Sequence, residues 1–169
     1  MIFYKGTRLL ALALTLSVFL TACIRLPNVQ GEGEASLQGI WNQDSVANAA
    51  QLLSYTAHKF KFSCDSFYVD LTTHSKVNYY EETCFNNGVW NEYAKGTYVV
   101  KGDTLFLKGT FTKANYKQKV SGCYRNGQYL NNFKIKSATA TSLVLVGIND
   151  HKEVVMALKE QIKCVPKQL

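Results

Sequence analysis

Five cysteines, three histidines and two adjacent glutamates are the residues of this 169-residue chain whose types could do chemistry. His58, His74 and His151 are widely spaced, and none stands in an H-E-x-x-H, C-x-x-C or G-x-S-x-G context. His58 falls in phase with Phe60 and Phe62 and is expected on the apolar face of a strand, while His74 and His151 fall at strand ends or turns. Glu81-Glu82 beside Tyr79-Tyr80 has the composition of a sugar-cleaving pair. Neighbours on a strand point to opposite faces, however, so the two carboxylates could cooperate only in a loop. No cysteine has a second Cys or His within four residues, which argues against a zinc site. The chain also lacks the G-S-S-x-M-P-x-K-x-N loop and the spare thiolates that fumarate hydratase chemistry would need. The expectation is therefore no catalytic residue, no metal and no cofactor.

Cys23 is set apart by what precedes it. Lys5 and Arg8 lie ahead of an apolar run from Leu9 to Leu20, which ends in Leu20-Thr21-Ala22-Cys23. A basic start, about a dozen apolar residues and small residues before a cleavage point make a secretory signal, too short to span a bilayer. The last four residues resemble the lipobox of bacterial lipoproteins. The resemblance implies that residues 1–22 are removed, that Cys23 carries a thioether-linked diacylglycerol and an acyl chain such as palmitate, and that the protein's first partner is a membrane. More than one chain is needed for lasting anchorage. Ile24 after the cysteine, rather than Asp, implies the outer membrane of a Gram-negative bacterium by similarity to the enterobacterial sorting rule.

The remaining cysteines, Cys64, Cys84, Cys123 and Cys164, are even in number, and an exported domain reads them as two disulfides. Three connectivities are possible. Cys64 with Cys84 and Cys123 with Cys164 is the expected set, the second pair stapling the C-terminal tail to the wall of the domain. Of the formal charge of +7, Lys5 and Arg8 carry two, leaving +5 spread singly along the mature chain. Such a distribution fits solvated strand faces or a basic face toward anionic lipid or glycan, and not nucleic acid.

The elements that must position these residues follow from periodicity. Residues 23–37, with Pro27, Gly31, Glu32, Gly33 and Glu34, have no apolar period and predict a flexible tether, leaving 38–169 as one domain. Asp44 or Ser45 could cap a short helix through Val46, Ala49, Ala50 and Leu53, which share one helical stripe. From Lys59 the period is two. Strands are expected at 39–42, 59–63, 67–71, 76–80, 89–100, 104–111, 117–124, 128–136, 142–147 and 153–159, with turns such as Asn86-Asn87-Gly88 and Asn126-Gly127. The only two prolines, Pro27 and Pro166, lie outside these runs. The fold class is all-β, an antiparallel up-and-down barrel of about eight to ten strands with one short helix near the N-terminus; closure removes exposed edges.

Gly39-Ile40-Trp41 at the start of the first strand is similar to the G-x-W signature of lipocalins and their calycin relatives. In that family the tryptophan closes one end of the barrel, and the resemblance implies a role of that kind for Gly39 and Trp41. Ten tyrosines, nine phenylalanines and two tryptophans exceed what packing so small a domain demands. Trp90, Tyr98, Phe106 and Phe111 are the expected lining of a cavity. Two functions follow: a barrel that binds a small hydrophobic or amphiphilic ligand, or a filled barrel that docks on an envelope protein partner.

Overall fold

The computed structural model describes residues 29–168; the expected signal segment and Cys23 lie outside the described residues. Val29 and Gln168 form an isolated antiparallel bridge. Between them, alternating apolar and polar residues build eight strands: β1 Gly39–Asn42, β2 Ser54–Ser63, β3 Ser66–Ser75, β4 Val89–Lys101, β5 Thr104–Thr112, β6 Gln128–Ala138, β7 Ser142–Gly147 and β8 Glu153–Gln161. Each is antiparallel to the next, and β1 also pairs with β8, so the sheet closes into a ring in sequence order.

The inward face of that ring is the hydrophobic core. Phe60 and Phe62 of β2, Phe67 and Val69 of β3, Leu105 and Leu107 of β5, Leu143 and Leu145 of β7 and Met156 of β8 are all buried. A slip of one residue in any pairing would turn such a set outward, so burial itself specifies the register. Gly96 and Gly109 are directly opposed on β4 and β5. A Cβ on either would lie 2.1 Å from a carbonyl oxygen of the facing strand, so this close approach admits only glycine.

Because strands alternate in direction, the connections after odd-numbered strands gather at one end of the ring and those after even-numbered strands at the other. The even end is closed. Leu37 and Trp41 are fully buried there, and the indole Nε1 donates to the Leu37 carbonyl at 2.8 Å. Gly39 has φ 152°, and a Cβ would meet Leu158 Cδ1 at 2.6 Å and the Glu160 carbonyl at 2.8 Å. That contact is the physical reason for a glycine two residues before the tryptophan. Gln38 joins the pieces: its Nε2 donates to the Cys64 carbonyl and the Tyr98 hydroxyl, both at 2.8 Å, and its Oε1 accepts from the Cys64 N–H at 2.6 Å.

Four expectations are corrected. The disulfides are Cys64–Cys164 and Cys84–Cys123. Cys64 follows β2 and Cys164 follows β8, so both lie at the closed end; Cys84 and Cys123 follow β3 and β5, at the open end. Cys64–Cys84 would have had to cross the ring. The helix expected over 46–53 is a single 3-10 turn, Ala49–Gln51, because Asn48 before it is left-handed at φ 55°. The Asp44 carboxylate is engaged instead by Asn42 and Lys159. Among the described residues the α-helix is α1, Glu82–Phe85, between β3 and β4.

Residues 76–80 and 117–124 are not strands. The first leaves the sheet after Ser75, and the second belongs to the irregular loop 113–127, which has Tyr116 and Tyr124 at positive φ and is stapled through Cys123. Nor is the whole of 23–37 a free tether. Gln30 bonds to Lys167 and Ser66, Gly31 to Asp65, Glu34 to Tyr98, and Leu37 is in the core.

Candidate functional site

Phe62, Phe60 and His58 alternate inward along β2 and stack successively from the closed end toward the open one, with centroids 5.4 and 5.9 Å apart. Phe62 and Phe60 are fully buried, and beyond them lies a cavity of about 660 Å³ that opens between the odd-end loops. Its floor is apolar: Leu71 of β3, Tyr129 and Phe133 of β6 and Val154 of β8, each at most 5% exposed. Val46, Ala47 and Leu52 of the β1–β2 connection form one lip. Of the polar lining, Gln43, Arg125 and the β7–β8 turn residues Asn149, Asp150 and Lys152 come from the connections at the open end, while Asn131 lies on β6 between Tyr129 and Phe133. A space of this size, apolar below and polar above, has the dimensions and chemistry of a small-ligand site.

His58 sits at the boundary. Its backbone N–H and its Nδ1 both meet Gln43 Oε1 at 3.2 Å. Since that oxygen only accepts, the ring proton belongs on Nδ1, leaving Nε2 as an acceptor toward the cavity. Burial pushes His58 down to about 4, with Asp150 opposing and Arg125 reinforcing, so the ring is neutral near pH 7. Tyr129 packs between Phe67 and Phe111, and its hydroxyl is buried with Asn131 beside it but no well-formed hydrogen bond among the described residues. Burial raises that hydroxyl to about 12, and it stays protonated.

Arg125 forms one side of the opening and is held from below. Its Nε and Nη2 donate to the two oxygens of Glu92 at 2.9 and 2.7 Å, and its backbone N–H adds a third bond at 3.0 Å. The guanidinium lies 4.9 Å from the Phe111 ring centroid. Glu92 is an inward-facing carboxylate on β4, 4% exposed, with a further bond from Trp90 Nε1. Burial alone would raise its pKa, but the bonds to Arg125 outweigh that and hold it below the usual carboxylate range. Trp90, Tyr80 and Tyr124 wall the pair in, with centroid distances of 5.2 to 5.5 Å. The Cys84–Cys123 bridge ties together the two loops that carry this cluster.

The four residues expected to line a cavity go elsewhere. Trp90 and Phe111 are buried beside Glu92 and Arg125, behind the cavity wall. Tyr98 is at the closed end bonded to Gln38, and Phe106 points outward, 39% exposed. Gly39 and Trp41 close the other end of the ring. His74 stacks on Tyr55 at 4.9 Å, and His151 is exposed in the β7–β8 turn. Glu81 and Glu82 lie at the start of α1, outside the cavity lining. Among the described residues no three His, Cys, Asp or Glu side chains are arranged to hold a metal ion.

Glu92 and Arg125 escaped the sequence reading, although a charge in phase with Trp90, Ala94 and Tyr98 on an alternating strand was a visible signal. Comparisons with protein-family models, curated proteins and solved structures return no match, so the reading of this site stands on its own geometry.

Proposed function

We propose that this chain is a lipid-anchored, non-catalytic binding protein of the bacterial envelope that holds a small amphiphilic molecule in the open-end cavity. The observation that carries this reading is the division of the cavity into an apolar floor and a polar opening. The floor favours an acyl or aromatic portion, because each buried methylene contributes about 0.8 kcal/mol. Arg125 and Lys152 offer donors to a polar head at the opening, and Asn131 offers one deeper, between Tyr129 and Phe133. Binding is favoured over catalysis because Arg125 and Glu92 occupy each other and His58 is turned toward Gln43. The similarity of Gly39-Ile40-Trp41 to the lipocalin signature, the meander of strands and the tail cystine agree with a lipocalin-like carrier. The lipobox-like run before Cys23 supports attachment to the outer membrane.

The test is native mass spectrometry of the chain exported to an oxidising compartment, followed by gentle release of any bound small molecule. A co-purified amphiphile should be found, and Leu71→Trp, which fills the floor, should reduce its occupancy at least tenfold. A bare chain in every preparation, or equal occupancy in Leu71→Trp, would end the carrier reading and leave the docking protein in its place.

A further inference from the structure

The outward face of β4, β5 and β6 combines two features that solvated strand faces seldom share. Val99 and Phe106 are directly opposed across β4 and β5, Leu130 lies diagonally beside Phe106 on β6, and all three are exposed, at 49%, 39% and 62%. Around them stand Lys95, Lys101 and Lys108, none of which makes an ion pair among the described residues. The other outward positions include Asn91, Tyr93, Thr97, Thr104, Thr110 and Asn132, then Lys134 and Lys136, each paired with one acid. No outward position of the three strands is acidic. An apolar triad ringed by unpaired ammonium groups matches the interface of an anionic bilayer, which offers acyl chains beneath a layer of negative headgroups.

The chain's entry point lies on the same side. Gln30 and Gly31 are bonded to Ser66 and Asp65 at the β2–β3 turn, and Ser66 is paired with Thr97 of β4, two residues before Val99. Gln30 stands seven positions after Cys23, a reach of at most about 25 Å. An anchor on Cys23 would therefore hold the Gln30 entry point no farther than this from the membrane.

We infer that the β4–β5–β6 face docks on the anionic surface of the bilayer that holds the lipid anchor, so that the ring lies on its side with Phe106 at the headgroup level. The orientation rests on the anchor reading made above; the affinity of the face for anionic lipid does not.

Residues 30–167 form a compact unit containing all eight strands and both disulfides, so the unlipidated chain from Val29 onward can be tested directly. Phe106→Trp places a reporter on the face, and Val155→Trp places one on an exposed apolar position of β8, three strands round the ring from β5. With brominated phospholipid as quencher, Phe106→Trp should be quenched by vesicles containing phosphatidylglycerol and not by phosphatidylcholine alone, while Val155→Trp should stay bright in both. Replacing Lys95, Lys101 and Lys108 by Gln should weaken partitioning about fivefold each, about 100-fold together. Partitioning that ignores phosphatidylglycerol, equal quenching at both reporters, or an unaffected triple variant would overturn the docking face. So would a doubled mass in solution that Val99→Glu removes, which would assign the face to a second copy. Mass analysis of the Cys23 peptide from native membranes separates the two readings. Quenching with an unmodified Cys23 refutes the anchor and upholds the face, and a lipidated Cys23 with a bright Phe106→Trp does the reverse.

Discussion

The two ends of the ring are built by opposite strategies. At the closed end a few residues with many partners fill the interior: Trp41, Leu37 and Gln38 bind the entering chain, the β2–β3 turn and the tail into one plug, and Cys64–Cys164 ties its two extremities. At the open end the side chains stop short, and the space is bounded by loops that Cys84–Cys123 and the Glu92–Arg125 pair hold in place. The difference teaches that stability and access are separated along the axis. Concentrated packing at one end allows the other to keep an unfilled cavity, which the closed end would tolerate only at a cost of several kcal/mol.

That comparison can be broken most directly at the long-range disulfide. Removing Cys64 and Cys164 together frees a link spanning 100 residues and should cost about 5 kcal/mol by the loop-closure relation. Urea unfolding would measure it, and a loss below about 1 kcal/mol would show that the plug does not depend on the staple. Next in size is Gln38→Leu, which strands the Cys64 N–H and carbonyl inside the closed end and leaves the Tyr98 hydroxyl with the Glu34 N–H alone. A destabilisation of about 2–3 kcal/mol is expected, with ligand occupancy unchanged in whatever fraction remains folded.

Arg125→Ala probes the open end. It leaves the Glu92 carboxylate buried without its partner, but the guanidinium is half exposed, so the cost should be about 1–2 kcal/mol. Occupancy of the cavity should fall more than global stability, the reverse of Gln38→Leu. The same substitution should raise the Glu92 pKa, readable by carboxylate titration.

The smallest effect concerns His58. Its folded pKa is near 4 against an ordinary value of about 6.5, so the neutral ring's contribution is fully present above about pH 6.5 and is lost as the pH falls toward 4. Between pH 7 and 5.5 this amounts to about 1 kcal/mol of lost stability. His58→Gln should flatten that part of the pH profile, and an unchanged slope would show that His58 is not the group responsible.

What was legible in the sequence and what was not divides along physical lines. Period-two alternation set the strand faces, since burial of Phe60, Phe62, Val69 or Leu145 is decided locally by which side of a pleat each occupies. The closed antiparallel meander and the inward phase of His58 with Phe60 and Phe62 were readable for the same reason.

The disulfide pairing was not readable, because it depends on how many strands intervene. Counting 76–80 and 117–124 as strands put Cys64 and Cys84 after even-numbered strands, whereas the tertiary fold, which leaves those segments as loops, separates them to opposite ends. The loops escaped because their tyrosines and valines have strand propensity, and only tertiary packing around Trp90, Glu92 and the second disulfide overrides it. The cavity belongs to the same class. The aromatic residues expected to line it, Trp90, Tyr98, Phe106 and Phe111, are distributed by the ring's curvature to a side wall, a plug and an outer face. The space itself is left to Leu71, Tyr129, Phe133 and Val154, whose convergence from three strands far apart in sequence no local pattern encodes.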